Sequence, residues 1–303
     1  MGARGPLSGI HRFAHRAMGC EFGIAVAGEK EDYARSACLA AFEVLTLVEA
    51  EISRFDPGSD ISRINALPPG PWTRVGLETT RCLVAARRAW RITRGHFDPG
   101  FRGGGFRRVV LDARRHRVRV RASLTLDLGA IGKGYALDRM GEMLREWGIG
   151  SALTMSGAST AVALGPPPRL AASHRGFSGR RNPAAAGWRL GLRHPARPGA
   201  TVGTVFLRAG AFSGSGIAAQ GPHIVDPRTG LPATRPAAWA WAPTGALSDA
   251  LSTAFMAMNA QEARAACAGV GGGIIAAGSA RMIRLTRFGT MPGVTMELKA
   301  GGR

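Results

Sequence analysis

The sequence predicts a mixed α/β domain made of two similar halves. Two observations carry that expectation. An order of strand, helix and then several strands occurs twice along the chain, and 45% hydrophobic residues over 303 positions are ample for a large buried core. No repeat of solenoid period is present. The chain is organised around Leu126-Asp-Leu-Gly-Ala-Ile-Gly-Lys-Gly-Tyr-Ala-Leu-Asp138. Here a short apolar strand (Leu124, Leu126, Leu128) bends through glycines at 129, 132 and 134 into a helix. That helix carries Leu137, Met140, Leu144 and Trp147 on one face.

Taken in order, Phe22 to Gly28 alternates as a strand, and a long helix follows from about Asp32 to Phe55. Its stripe is Leu45, Val48, Ile52 and Phe55, and Pro57-Gly58 ends it. Ser59 to Asn65 is a short turn or helix with a capping serine. A second helix from about Glu78 to Arg94 turns Leu83, Ala86 and Trp90 inward and delivers His96-Phe97-Asp98-Pro99. Residues 102–121 hold eight arginines against Asp112, and Val109-Val110-Leu111 with Val118 and Val120 predict a hairpin at a sheet edge whose arginines are solvated.

After the central helix, Ala152 to Met155 and Ala161 to Leu164 read as strands paired around Ser156-Gly-Ala-Ser159. Prolines at 166 to 168 open an irregular surface loop that lasts to 187. Strands resume at Trp188 and over Val202 to Arg208, followed by Ser213-Gly-Ser-Gly216. His223-Ile-Val-Asp226 runs into a Pro-Gly turn that Asp226 caps. Ala246 to Met258 is the last strong helix, and Gly271 to Ala277 and Met282 to Leu285 complete the sheet. Residues 1–17 read as an extension ahead of a single domain spanning 18–300.

The formal net charge of +20 comes from 40 basic against 20 acidic residues and favours acidic partners. Aromatic residues make up only 7%, and the basic clusters lack interleaved stacking residues, which argues against a single-strand nucleic-acid binder. The excess of Arg, Ala, Gly and Pro is read as coding bias. Cysteines at 20, 38, 82 and 267 form no Cys-x-x-Cys pair, so no zinc site or disulfide framework is expected. With no signal-length or membrane-length apolar run, a soluble cytoplasmic protein is expected.

A strand that turns sharply into a helix aims backbone N–H groups at one point, and glycines let a ligand come close, so a diphosphate fits the 126–138 bend. Lys133, one of three lysines in the chain, adds a point charge there. The bend is no P-loop, because Gly134 stands where Ser or Thr should follow the lysine, and no Gly-x-Gly-x-x-Gly opens the helix.

Six motifs in series, from Met18 to the glycines near 272, resemble one family. They are Met18-Gly-Cys-Glu-Phe, Ile52-Ser-Arg-Phe55 with Ser59 to Asn65, His96-Phe-Asp-Pro99, Asp127 to Asp138, His223 to Gly230, and Ser248-Asp-Ala-Leu-Ser-Thr253. Together they resemble the ApbE family of FAD:protein FMN transferases. The resemblance implies an α+β fold of largely antiparallel sheets with packed helices. It implies Mg²⁺ as cofactor and FAD as substrate: the FAD diphosphate is broken, AMP leaves, and FMN becomes bound through a phosphodiester to a Thr or Ser of an acceptor protein.

Carried over residue by residue, the resemblance puts FAD contacts at Met18, Phe55, His96, Phe97, Asp98, Asp127, Lys133 and Ile224. It places the metal between the carbonyl of Ala130, Asp249, Ser252 and Thr253, and it gives His223 the proton transfer. Asp249, Ser252 and Thr253, spaced i, i+3, i+4, share one helix face and suit a hard cation. Without the family, Asp249 reads as a helix N-terminal residue satisfying the dipole, and Asp127 either binds the nucleoside or braces the loop. Gly157-Ala158-Ser159 departs from the Gly-Gly-Asp or Gly-Gly-Asn of many members. Hydrolysis of FAD to FMN and AMP, or flavin binding without turnover, would use the same site.

Overall fold

The computed structural model describes residues 9–100, 104–167, 187–217, 224–278 and 283–299. Its centre is an eight-stranded sheet that joins two similar halves at the pair β7–β10. The first half runs from the hairpin β1 (Ile10–Ala17) and β2 (Cys20–Ala27), through helices, to the hairpin β6 (Ala152–Ser156) and β7 (Thr160–Leu164). The second runs from the hairpin β10 (Ala209–Gly216) and β11 (Ala237–Ala242), through helices, to β12 (Gly272–Gly278) and β13 (Ile283–Gly289). The strand order β1-β2-β6-β7-β10-β11-β12-β13 repeats one plan twice. Among the described residues every strand pair is antiparallel.

Helices α1 (Glu31–Ile52), α2 (Asp60–Asn65), α3 (Leu77–Ile92) and α4 (Gly132–Glu146) belong to the first half, and α5 (Gly245–Ala257) and α6 (Ala260–Cys267) to the second. Side chains on successive strand positions point to opposite faces, and this alternation divides the core in two. Phe22, Ile24 and Val26 of β2 and Ala238, Ala240 and Ala242 of β11 join the main core with the helices. Ala25, Ala27, Trp239 and Trp241 point the other way, onto Trp188, Val205 and Leu207. Those residues belong to a three-stranded sheet of β14 (Val294–Leu298), β9 (Thr201–Leu207) and β8 (Trp188–Arg193), so the molecule has three layers.

Helix α1 follows its apolar stripe, burying Ala34, Ala37, Ala41, Leu45, Val48 and Ile52. It stops at Ile52, three residues before the predicted end, and Phe55 is 78% exposed. Ser59 caps α2 by accepting from the Ser62 N–H at 3.0 Å. The predicted hairpin at 109–120 forms, but in a separate sheet of order β3-β5-β4, with β3 at Thr73–Arg74, β4 at Val109–Asp112 and β5 at Arg117–Val120. Helix α6 and strands β3, β11 and β14 were not expected.

Residues 10–17, set apart by sequence as part of an extension, form the edge strand β1 paired along its length with β2. Met18 and Gly19 make the two-residue turn between them, both at positive φ (49° and 70°), the conformation that matches hairpin twist. Of the strand expected over 124–128, Thr125 makes a β-bridge, and among the described residues the segment joins none of the named strands. Leu124, Leu126 and Leu128 are buried as its alternation implied, but the Asn65 side chain supplies the bonds a neighbouring strand would make. It accepts from the Leu126 N–H at 2.7 Å and donates to the Leu126 carbonyl at 3.0 Å. Most of the loop expected at 166–187 lies outside the described residues.

Candidate functional site

The bend at 126–138 leads into the first turn of α4, and that turn meets the first turns of α5 at a glycine contact. A Cβ on Gly134 would collide with the Gly245 carbonyl and come within 2.8 Å of Asp249 Cβ. A Cβ on Gly245 would collide in turn with the Gly134 carbonyl. Only at such positions can two helix backbones approach this closely.

The close approach lets each helix cap the other. The first N–H groups of a helix have no partner inside it. Asp138 of α4 accepts from the N–H groups of Gly245 and Ala246, the first two of α5, at 2.6 and 2.9 Å. Asp249 of α5 accepts from the N–H of Gly134, in the first turn of α4, at 3.1 Å. Asp249 therefore does satisfy a helix N-terminus, as its local sequence suggested, but the helix is α4 and not its own, which Thr244 caps.

Asp249 is 5% exposed, and its second oxygen takes the Thr160 hydroxyl at 3.3 Å. Burial pushes its carboxyl above the usual carboxylate range, and the Lys133 charge, the Gly134 amide and the Thr160 hydroxyl oppose that rise. One turn on, Ser252 and Thr253 donate to the Asp249 carbonyl at 2.9 and 3.3 Å. Ser215 of β10 lies 2.9 Å from the Ser252 hydroxyl and 3.3 Å from that of Thr253. Ser213, opposite Thr160 in the β7–β10 pair, is fully buried, and its hydroxyl has no hydrogen-bond partner among the described residues.

A buried carboxylate among neutral hydroxyls, with one unpartnered hydroxyl on the facing strand, is a donor set of oxygens only. That chemistry fits a hard cation such as Mg²⁺. No group of three or more His, Cys, Asp or Glu side chains arranged for a metal occurs among the described residues. A site with one carboxylate and otherwise hydroxyl and carbonyl oxygens does not need one.

Cys20 opens β2 at the same end of the sheet. Burial raises its thiol pKa, the Lys133 charge opposes the rise, and Glu49 and Asp249 add to it. Met18 donates its N–H to Glu49 at 2.6 Å. The Gly157 turn also reaches here, since a Cβ on Gly157 would lie 3.9 Å from Cys20 Cβ. Met18, Lys133 and Asp249 thus gather around the first turn of α4.

A second patch lies on the approach to the bend. Asp127 accepts from the Gly129 N–H at 2.8 Å and pairs with Arg54 at 3.0 Å, so its carboxylate braces the loop. The Arg54 guanidinium lies 4.2 Å over the exposed Phe55 ring, covering one face. The Asp127 N–H reaches the Pro99 carbonyl at 2.8 Å, which ties the 96–99 segment to the bend. There, Asp98 accepts from Gly100 and Phe106 N–H groups and the Trp90 indole at 2.8, 2.9 and 3.1 Å, and the Phe97 ring is buried in the core.

The third patch holds Ile224, half-buried against the core, whose carbonyl accepts from the Ala233 N–H at 2.8 Å. Asp226 caps the following turn as expected, accepting from the Arg228 N–H at 3.0 Å. His96 reaches this turn and α6. His223 lies outside the described residues, and Ala130 sits half-buried in the bend itself. Asp138, Thr160, Ser213 and Ser215 were not singled out by sequence; only Asp138, closing the 126–138 motif, carried a local signal.

Comparisons with known proteins bear on the fold and the family. No curated protein matches the chain. Among solved structures, the fold is similar to the ApbE protein of Thermotoga maritima (23% identity, TM-score 0.74, 92% of this chain and 97% of that one). It is also similar to the flavinyl transferase ApbE of Pseudomonas stutzeri (19%, 0.74, 92% and 94%) and the flavin transferase ApbE of Vibrio cholerae (17%, 0.76, 92% and 98%). At these identities the likeness is one of fold. The family model for ApbE matches residues 18–104 and 101–276, most of the chain and all six motifs, and the chain belongs to the ApbE family.

Proposed function

We propose that the protein transfers FMN from FAD to a Thr or Ser hydroxyl of an acceptor protein and releases AMP. The acceptor oxygen forms a bond to the FMN phosphorus, the bond from that phosphorus to the bridging diphosphate oxygen breaks, and AMP leaves with that oxygen. The hydroxyl proton passes to a base. The observation that carries this reading is the buried Asp249 carboxylate at the α4–α5 contact, beside the Lys133 charge and the hydroxyls of Thr160, Ser213, Ser252 and Thr253. The ApbE membership and the likeness to structures of flavin transferases support it.

In this reading Asp249, Ser252, Thr253 and the Ala130 carbonyl hold Mg²⁺, which when bound offsets charge at the attacked phosphorus. Lys133 and the amides at the start of α4 bind the diphosphate oxygens. Met18, Phe55 and Ile224 contact the rest of FAD, while Asp127 acts through the brace it gives the loop, and the buried Phe97 and the fully bonded Asp98 carboxylate act by holding the 96–99 segment in place. His223 takes the acceptor proton. The departure at Gly157-Ala158-Ser159 removes an amide or carboxylate from the turn beside Cys20 and leaves backbone groups to serve there.

The test is incubation with FAD and Mg²⁺, with and without a Thr-bearing acceptor, followed by mass spectrometry of the acceptor. An added FMN supports transfer. AMP release without a modified acceptor would replace the proposal with FAD hydrolysis, and flavin binding without AMP would replace both.

A further inference from the structure

We propose that His96 is a positioning residue, a buried clasp that holds the 224–231 turn against α6 and orients that turn for the flavin transfer, rather than a contact to the flavin nucleotide. The proposal rests on the transferase reading for its effect on turnover, and on geometry alone for the clasp.

The side chain of His96 is only 5% exposed, and groups from two other elements face it. Asp226 Oδ1 lies 3.4 Å from Nδ1, and Glu262 Oε1 of α6 lies 3.4 Å from Nε2. The Arg228 guanidinium meets Nε2 directly and pairs with Glu262 at 3.3 Å. A guanidinium can only donate, so we assign the acceptor role at this contact to Nε2 and the ring proton to Nδ1, facing Asp226. Nδ1 is buried and makes no aligned hydrogen bond, which leaves Asp226 as its facing acceptor.

Each partner already has a structural task, and so the ring links three of them. Asp226 caps its own turn through the Arg228 N–H, and its N–H reaches the Leu231 carbonyl at 2.9 Å. Glu262 completes the capping box that starts α6, accepting from the Asn259 N–H at 2.9 Å. The 96–99 segment is itself tied to the 126–138 bend through Pro99 and Asp127. His96 thus joins the turn and α6, both in the second half, to the bend. An imidazole enclosed in this way has little surface left for a nucleotide.

The experiment compares His96→Phe, which keeps the ring volume and removes both polar atoms, with His96→Gln, which can donate to Asp226 and accept from Arg228. Amide hydrogen exchange at Asp226, Gly230 and Ala233 should speed up by about 10-fold or more in the Phe variant and return towards the wild-type rate in Gln. kcat for flavin transfer should fall by roughly 10-fold in Phe, with FAD affinity weakened through Ile224, which moves with the turn, and both should recover in Gln. Unchanged exchange in Phe, or exchange and turnover that Gln does not restore, overturns the clasp. If His96→Phe does not fold, Arg228→Met, a half-exposed position, takes its place with the same expectations. If the wild type transfers no flavin, the transferase reading fails, and the exchange measurement still decides the clasp.

Discussion

Asp138 and Asp249 cap each other's helices. Asp138, on α4, takes the first two N–H groups of α5, and Asp249, on α5, takes an N–H in the first turn of α4. The two helices cross at Gly134 and Gly245, so the residue proposed to hold the metal is locked to the bend proposed to hold the diphosphate. The geometry of both sites then depends on one contact.

Replacing Asp249 by Asn keeps an oxygen for the Gly134 amide but removes the buried charge. Flavin transfer is expected to be lost. Thermal stability without metal should hold or rise, because an uncharged amide is cheaper to bury than a carboxylate. Added Mg²⁺ should raise the melting temperature of the wild type and leave the variant unmoved. A variant that Mg²⁺ stabilises as well as it does the wild type would remove Asp249 from the metal site.

Burial raises the Asp138 carboxyl to about 6, against the two backbone N–H groups that lower it. Its unfolded value is about 4. Between these the folded state binds more protons than the unfolded state, so this group makes stability fall as pH rises from about 4 to 6, by on the order of 3 kcal/mol. Asp138→Asn should flatten that part of the profile in urea titrations at successive pH values. An identical slope in both proteins would refute the assignment.

A methyl group at Gly134 has no room. Gly134→Ala should force α4 and α5 apart, at a cost of about 1–3 kcal/mol in stability. Mg²⁺ affinity and turnover should fall more than FAD binding to the loop, because the Asp249 carboxylate moves with α5. Chemical denaturation and calorimetric metal titration check the two effects separately.

Asn65→Leu fills a similar volume but leaves the N–H and carbonyl of Leu126 without their side-chain partner. A loss of about 2 kcal/mol is expected, the cost of unmade hydrogen bonds in a buried segment. The accompanying disorder of the bend should weaken FAD binding, read by flavin fluorescence. An unchanged melting temperature would show that another strand or water can replace the amide.

Much of this molecule was legible in local pattern. The stripe from Ala34 to Ile52 has helical spacing, and α1 follows it; Ser59 has the chemistry of a cap, and α2 begins there. The 126–138 motif marked the bend, and Asp226 marked its turn. Phe55 failed the pattern because an apolar residue in register with a helix need not belong to it once the chain has left the core. The 124–128 strand is reduced to a bridge at Thr125, because alternation records which side chains are buried, not which backbone pairs.

The sequence by itself determined the periodicities, the turn-forming residues and the motifs that mark the family, since each depends on neighbours within a few positions. Only the tertiary structure decided that Asp249 serves a helix 115 residues away, that Asn65 holds the Leu126 backbone 61 residues on, and that His96 is enclosed by Asp226, Arg228 and Glu262. The physical reason is that hydrogen bonds and charges act over a few ångströms in space, and residues far apart in the chain share no period that would announce their meeting.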